Sequence, residues 1–363
     1  MSFDRRRLRS AWAIVIALLV WAAPAPVASK QRVASFPPAL SDREFWSIVE
    51  EFSEPDGYFQ SENLVGNERP LQQVVPALER MRRGDAYLGV APDQNFTYIV
   101  ALQPSIAFIV DIRRGNLLLH LMYKALFELS TDRADFLSRL FARPRPAGLD
   151  GQTTVEALLD AYWEVESDAA LASATGNAIS DRLTTTHGFR LSADDLGRIA
   201  GIYEMFVRHG PALSYSPGNA RGMPSYADMQ LATDLTGQTR AYLATEANYR
   251  LIKDLEARNL IVPVVGDFAG PKTLRAVGAY LQQHGLVVRA FYTSNVEQYL
   301  FRTDAAMRFY ANARTLPADE DSVFIRSASR RNVLDPIGDM LAAVGEGRIL
   351  EYWDVARRGT IAP

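Results

Sequence analysis

The stretch DAYLGVAPDQNFTYIVALQPSIAFIVDIRRGN, residues 85–116, decides the fold. Asp85–Val90 is short and apolar, and Pro92-Asp93-Gln94-Asn95 supplies turn and helix-cap chemistry. Phe96–Leu102 then reads as a short helix stopped by Pro104. Ser105–Ile112 is an unbroken apolar run, the pattern of a strand buried on both faces. Asp111 closes that run 22 residues after Gly89. The spacing predicts a strand–turn–helix–strand unit with an acid placed opposite a ligand-binding turn.

A second α/β signature lies far downstream. Leu260–Val265 is a buried-type strand, and Gly266-Asp267-Phe268-Ala269-Gly270 is the turn after it. Pro271 opens a helix over Lys272–His284, Gly285 ends it, and Leu286–Tyr292 is a further strand. Thr293–Phe301 turns into a helix, and Ser322–Ser327 reads as the last strand. Alternating strands and helices at both ends imply an α/β fold with a doubly wound, mostly parallel sheet and right-handed crossovers. The first strand and 260–266 are expected to be neighbours. Residues 150–235 between the two signatures read as a helical insertion, placed to cover a crevice or to offer a partner surface.

Parallel strands with tight turns place ligands at the carboxyl edge of the sheet. Gly89, Asp93, Asn95, Asp111 and Asp267 are therefore the candidate ligand-binding residues. Gly89 admits a ligand to the backbone, and Asp93 or Asn95 caps the first helix. Asp111 accepts hydroxyl groups, and Asp267 orients a polar group. Each carboxylate has a structural alternative. Asp111 can cap the Gly115-Asn116 turn or pair with Arg113 or Arg114, and Asp267 can cap the helix after Pro271. Two polar loops, Gly57–Glu68 and Thr293–Gln298, suit either ligand closure or self-packing.

This layout resembles the S-adenosylmethionine-dependent methyltransferase type of Rossmann fold. That family has a Gly-bearing first loop, an acid ending the second strand that holds ribose hydroxyls, and a polar loop after the fourth strand. The matching positions are Gly89, Asp111 and Asp267, over residues 85–130 and 240–300. The first loop, LGVAPDQN, carries one glycine where the family has several. The resemblance implies S-adenosylmethionine or another nucleoside-like small molecule as ligand. The chain as a whole also resembles bacterial proteins of this architecture that carry no assigned activity.

Composition bounds the rest. Apolar residues make up 48% and charged residues 22%, the profile of a folded protein. A net charge of −3 gives no footprint for nucleic acid. No Cys is present, which excludes disulfides, thiolate metal sites and a Cys nucleophile. The four His residues (120, 187, 209 and 284) form no metal-ligand spacing, so no metal site is expected. No P-loop, G-x-S-x-G or G-x-G-x-x-G occurs.

Arg5, Arg6, Arg7 and Arg9 precede an apolar run of 13 residues, Ala11–Ala23, and small residues follow through Ser29. These are the three parts of a secretory signal over residues 1–29, with 30–40 as a linker to one domain over 41–363. An anchor over 11–23 is the alternative, although 13 residues are short for a permanent span. Removing residues 1–29 deletes four Arg and one Asp, so the charge becomes −3 − 3 = −6. Export is thus expected, to the periplasm or beyond. It conflicts with methyl transfer, because S-adenosylmethionine is made in the cytoplasm. Three readings follow: an exported small-ligand protein, a non-catalytic envelope binding or scaffold protein, or an active methyltransferase if the leader is not an export signal.

Overall fold

A run of apolar residues with no polar face needs cover on both sides, and the first three strands have it. In the computed structural model, which describes residues 36–215, 222–328 and 331–361, every residue of β1 (Ala86–Gly89), β2 (Ile106–Asp111) and β3 (Ile261–Val265) is buried. The leader and the alternative anchor lie outside the described residues.

The chain enters through α1 (Asp42–Phe52), whose Ser41 and Glu44 form the expected capping box. A loop and a short helix α2 (Val75–Leu78) lead to β1. Helix α3 (Gln94–Leu102) crosses over to β2. Helix α4 (Arg114–Leu129) follows and is buried over most of its length, from Gly115 to Phe127. Its inner face packs on β2 and β3. Its outer face is covered by α5 (Arg133–Phe141), α7 (Ala169–Asp181), α8 (Ala193–His209) and α10 (Glu246–Ala257). Two further helices, α6 (Val155–Trp163) and α9 (Tyr226–Leu231), complete the helical segment before β3. Each fully buried Leu of α4 contributes roughly 1.5–3 kcal/mol, which explains how one helix organises so much chain.

After β3, α11 (Thr273–Gln283) leads to β4 (Val288–Ser294). Helices α12 (Val296–Arg302) and α13 (Ala306–Ala313) lead to β5 (Val323–Ala328). A strand that the sequence did not disclose, β6 (Arg331–Pro336), pairs antiparallel with β5, and α14 (Ile337–Gly345) and α15 (Tyr352–Ala356) follow.

The sheet order is β3-β2-β1-β4-β5-β6, with β1 to β5 parallel. This is a Rossmann-like α/β arrangement of six mostly parallel strands. The expected adjacency of 85–90 and 260–266 is corrected: β2 separates them, and β4 holds the other side of β1. Each crossover from β1 through β3 steps the same way, so only β4 returns to the free edge of β1. Pro263 is tolerated because β3 is an edge strand, where a missing N–H leaves no ladder partner unsatisfied. The order reverses between β1 and β4, and a crevice opens there at the strand carboxyl ends. Asp267, expected in the loop after a fourth strand, follows β3, and the loop after β4 is Ser294-Asn295.

Candidate functional site

A cleft of about 510 Å³ lies at the carboxyl ends of β1 to β4. Val90, Val110, Ile112 and Phe268 give it apolar walls, and Tyr299 and Leu300 of α12 close one side. Tyr58, Phe59 and Asn63 of the 57–68 loop border it, with the Tyr58 ring 86% exposed. Its polar groups are Asp111, Arg113, Asp267, Ser294, Asn295 and Arg308. None of the described residues of 133–260 lines it, although Tyr215 lines an adjoining pocket together with Phe59, Asn63 and Tyr299.

The structure brings Asp111 and Asp267 together here. Their strands are neighbours, and the Gly266 N–H donates to the Asp111 carbonyl at 2.8 Å. Asp111 is 5% exposed, and both carboxylate oxygens accept from the Arg113 guanidinium at 3.0 Å. The Arg113 backbone N–H adds 2.9 Å to Oδ1. Arg113 also donates to the carbonyls of Ser61 and Glu62. The pair thus fastens the 57–68 loop to the sheet edge, and only Oδ2 keeps acceptor capacity for a ligand.

Asp267 is half-buried. Its Oδ1 accepts from the Ala269 N–H at 2.9 Å, while Oδ2 has no partner among the described residues. It does not cap α11. Glu54, from the loop after α1, does that instead: its Oε1 accepts from the N–H groups of Lys272 at 2.8 Å and Thr273 at 3.0 Å. With its cap supplied from elsewhere, the Asp267 carboxylate is left to the cleft.

The other three candidates lie outside the lining. Asn95 is fully buried, and its Nδ2 donates to the carbonyls of Val90, Ala91 and Pro92 at 2.9, 3.0 and 2.7 Å. Its Oδ1 accepts from the Tyr87 hydroxyl at 2.8 Å. Asn95 is thus a knot that shapes the β1–α3 loop. Gly89 makes room for that knot, since a Cβ there would meet Asn95 Oδ1 at 1.9 Å. The left-handed residue of the loop is Ala91, at φ +70°. Asp93 is 1% exposed and makes no side-chain capping bond. Gln230 of α9 donates to it at 3.0 Å and Tyr242 at 3.4 Å. Burial pushes its carboxyl up to about 7. The insertion therefore seals the start of α3.

Glu68 ends the polar loop that the sequence marked for ligand closure or self-packing, but it was not among the candidate site residues; it is 7% exposed beside this edge. It accepts from the Ser294 hydroxyl and from Asn332 Nδ2, the latter at 3.2 Å. Its partners lie more than 200 residues away, so no local motif exposed it. His120 is buried within the apolar helix α4, and desolvation pushes it down to about 4. Its Nε2 faces the Ala91 carbonyl at 3.0 Å, which fixes the tautomer with the proton on that nitrogen. Among the described residues, no group of three or more His, Cys, Asp or Glu could hold a metal ion, and no helix is long and apolar enough to cross a membrane.

Sheet order and carboxyl-edge cleft together define a Rossmann-like α/β protein. Residues 64–341 match the model of a domain of unknown function (DUF7790), and the chain belongs to that family. No curated protein matches the chain.

Proposed function

We propose that the protein binds a small, nucleoside-like ligand in the carboxyl-edge cleft. The observation that carries this reading is the convergence of Asp111 and Asp267 from adjacent strands on one open, mostly apolar space. A flat ring fits against Ile112, Phe268 and Tyr299, where it loses water to apolar and aromatic surface. A ligand hydroxyl or amino group donates to the unpartnered Asp267 Oδ2, and a second to Asp111 Oδ2. Arg308 at the rim has no ion-pair partner among the described residues and offers charge to an anionic tail.

Export is part of the proposal and rests on the leader pattern of residues 1–29. An exported chain meets ligands found outside the cytoplasm, and S-adenosylmethionine belongs to the reading in which the chain stays inside. The open crevice favours ligand binding over a scaffold role. The exposed large apolar side chains of the described 150–235 region are Trp163 at the end of α6 and Met223 and Leu235 in the loops before and after α9, separate stretches of chain that give a partner surface less support.

Native mass spectrometry of protein purified without added ligand tests the proposal. The expected result is a bound nucleoside-sized mass that Asp267→Ala releases. Ligand-free protein that also gains no thermal stability from adenosine, S-adenosylmethionine or NAD would overturn it.

A further inference from the structure

Ser294 sits at the last position of β4, directly beside the switch point, with α12 starting two residues later. Its φ is +54°, a left-handed conformation that L residues other than Asn and Asp seldom adopt. The β4–β5 ladder skips Thr293 before Ser294, so a bulge adds to the turn. Together these features bring Ser294 out of the sheet to line the cleft, with its hydroxyl turned to Glu68. A strained serine on a sharp strand-to-helix turn is the geometry that exposes a nucleophilic hydroxyl.

Behind that hydroxyl stands Glu68, which accepts its proton in a hydrogen bond. Every group that holds Glu68 is neutral: Ser294, Tyr292, Asn332 and Ser327. Asn332 in turn donates to the Tyr98 hydroxyl at 2.9 Å, and its Oδ1 is buried without a partner. A core has no need of a carboxyl group without a counter-ion, and the desolvation raises its proton affinity. Asn295 lines the cleft next to Ser294 and offers a side-chain amide.

We infer that Ser294 and Glu68 form a nucleophile–base pair that cleaves carboxylic esters in this cleft. The inference rests on the reading of the cleft as a small-molecule site and adds a reaction to it. Ser294 Oγ bonds to the ester carbonyl carbon while its proton passes to Glu68, and the carbonyl electron pair moves onto oxygen. Asn295, whose Oδ1 faces the Ser294 hydroxyl at 3.4 Å in the free protein, turns its amide nitrogen to that oxyanion. The carbonyl pair returns, the bond to the alcohol oxygen breaks, and Glu68 gives the leaving alcohol its proton. Water then attacks the acyl-serine, Glu68 takes the water proton, and Ser294 Oγ leaves and recovers it. The acid is released and the pair is regenerated.

The test is covalent labelling of the folded full chain with a fluorophosphonate, followed by peptide mapping, together with hydrolysis of p-nitrophenyl butyrate. The expected adduct is on Ser294. Ser294→Ala should abolish both adduct and turnover. Glu68→Gln should slow turnover about 100-fold or more and remove the rise in rate with pH that a base contributes. The mapping uses wild-type protein and so decides the matter even if a variant fails to fold. No adduct, an adduct elsewhere, or wild-type turnover by Ser294→Ala would overturn the pair. Adenosine binding is measured in parallel: binding without an adduct rejects the pair but keeps the ligand reading. An adduct without binding keeps the pair and rejects the nucleoside.

Discussion

Replacing Asp111 by Ala should cost stability, because the carboxylate is half of a buried ion pair. The two side chains are 5% and 6% exposed, and Arg113 loses three hydrogen bonds to Asp111 when the carboxylate goes. Breaking one side of a buried pair costs about 3–5 kcal/mol. Arg113 keeps the carbonyls of Ser61 and Glu62, which argues for the lower end, about 3 kcal/mol. In chains of 150–250 residues, 1 kcal/mol moves the melting temperature about 2–4 °C. This chain is longer, so the smaller factor applies and the expected fall is roughly 6 °C. Scanning fluorimetry measures it, and limited proteolysis should show faster cutting in the 57–68 loop. The double variant Asp111→Ala with Arg113→Met removes both charges and should recover most of the loss. A change below about 1 °C in Asp111→Ala, with the loop uncut, would refute the reasoning.

Asp93→Asn should make stability less dependent on pH. The folded carboxyl is pushed up to about 7 from 3.8, so the folded state holds a proton that the unfolded state has lost. Wild-type stability from this group therefore falls as pH rises through that window, and the amide variant does not share the fall. Urea titrations across the window should show the gap between the two widening and then levelling above about pH 7; parallel curves would contradict it. Gly89→Ala should cost about 1–3 kcal/mol, because the added Cβ meets the Asn95 amide that holds the loop. Its denaturation midpoint checks this, and an unchanged midpoint would mean that the knot gives way freely.

The strands were legible because a doubly buried strand must be apolar throughout, as Ile106–Val110 and Ile261–Val265 are. Their order was not, since burial says nothing about which neighbour a strand takes. That is how β3 was expected beside β1. The antiparallel β6 was missed because Arg331, Asn332 and Asp335 break its apolar pattern. Asp111 and Asp267 were found by their places at strand ends, but the grip of Arg113 on Asp111 was one of two open options. Asn95 reads as a cap in sequence, yet it spends its amide on three carbonyls of the loop before it. Glu68 meets Ser294 only through the fold, across 226 residues of chain.

The most direct test of the central claim is an equilibrium titration of adenosine into wild-type protein and Asp267→Ala. The carboxylate Oδ2 is free of protein partners among the described residues, so a ligand bond to it is charge-assisted, about 1.5–3 kcal/mol. The account predicts saturable one-to-one binding that weakens about 10-fold to 100-fold in Asp267→Ala, while the free protein loses no more stability than the Ala269 N–H bond contributes, about 0.5–1.5 kcal/mol. Equal affinity in the two proteins, or no binding to either, would contradict it.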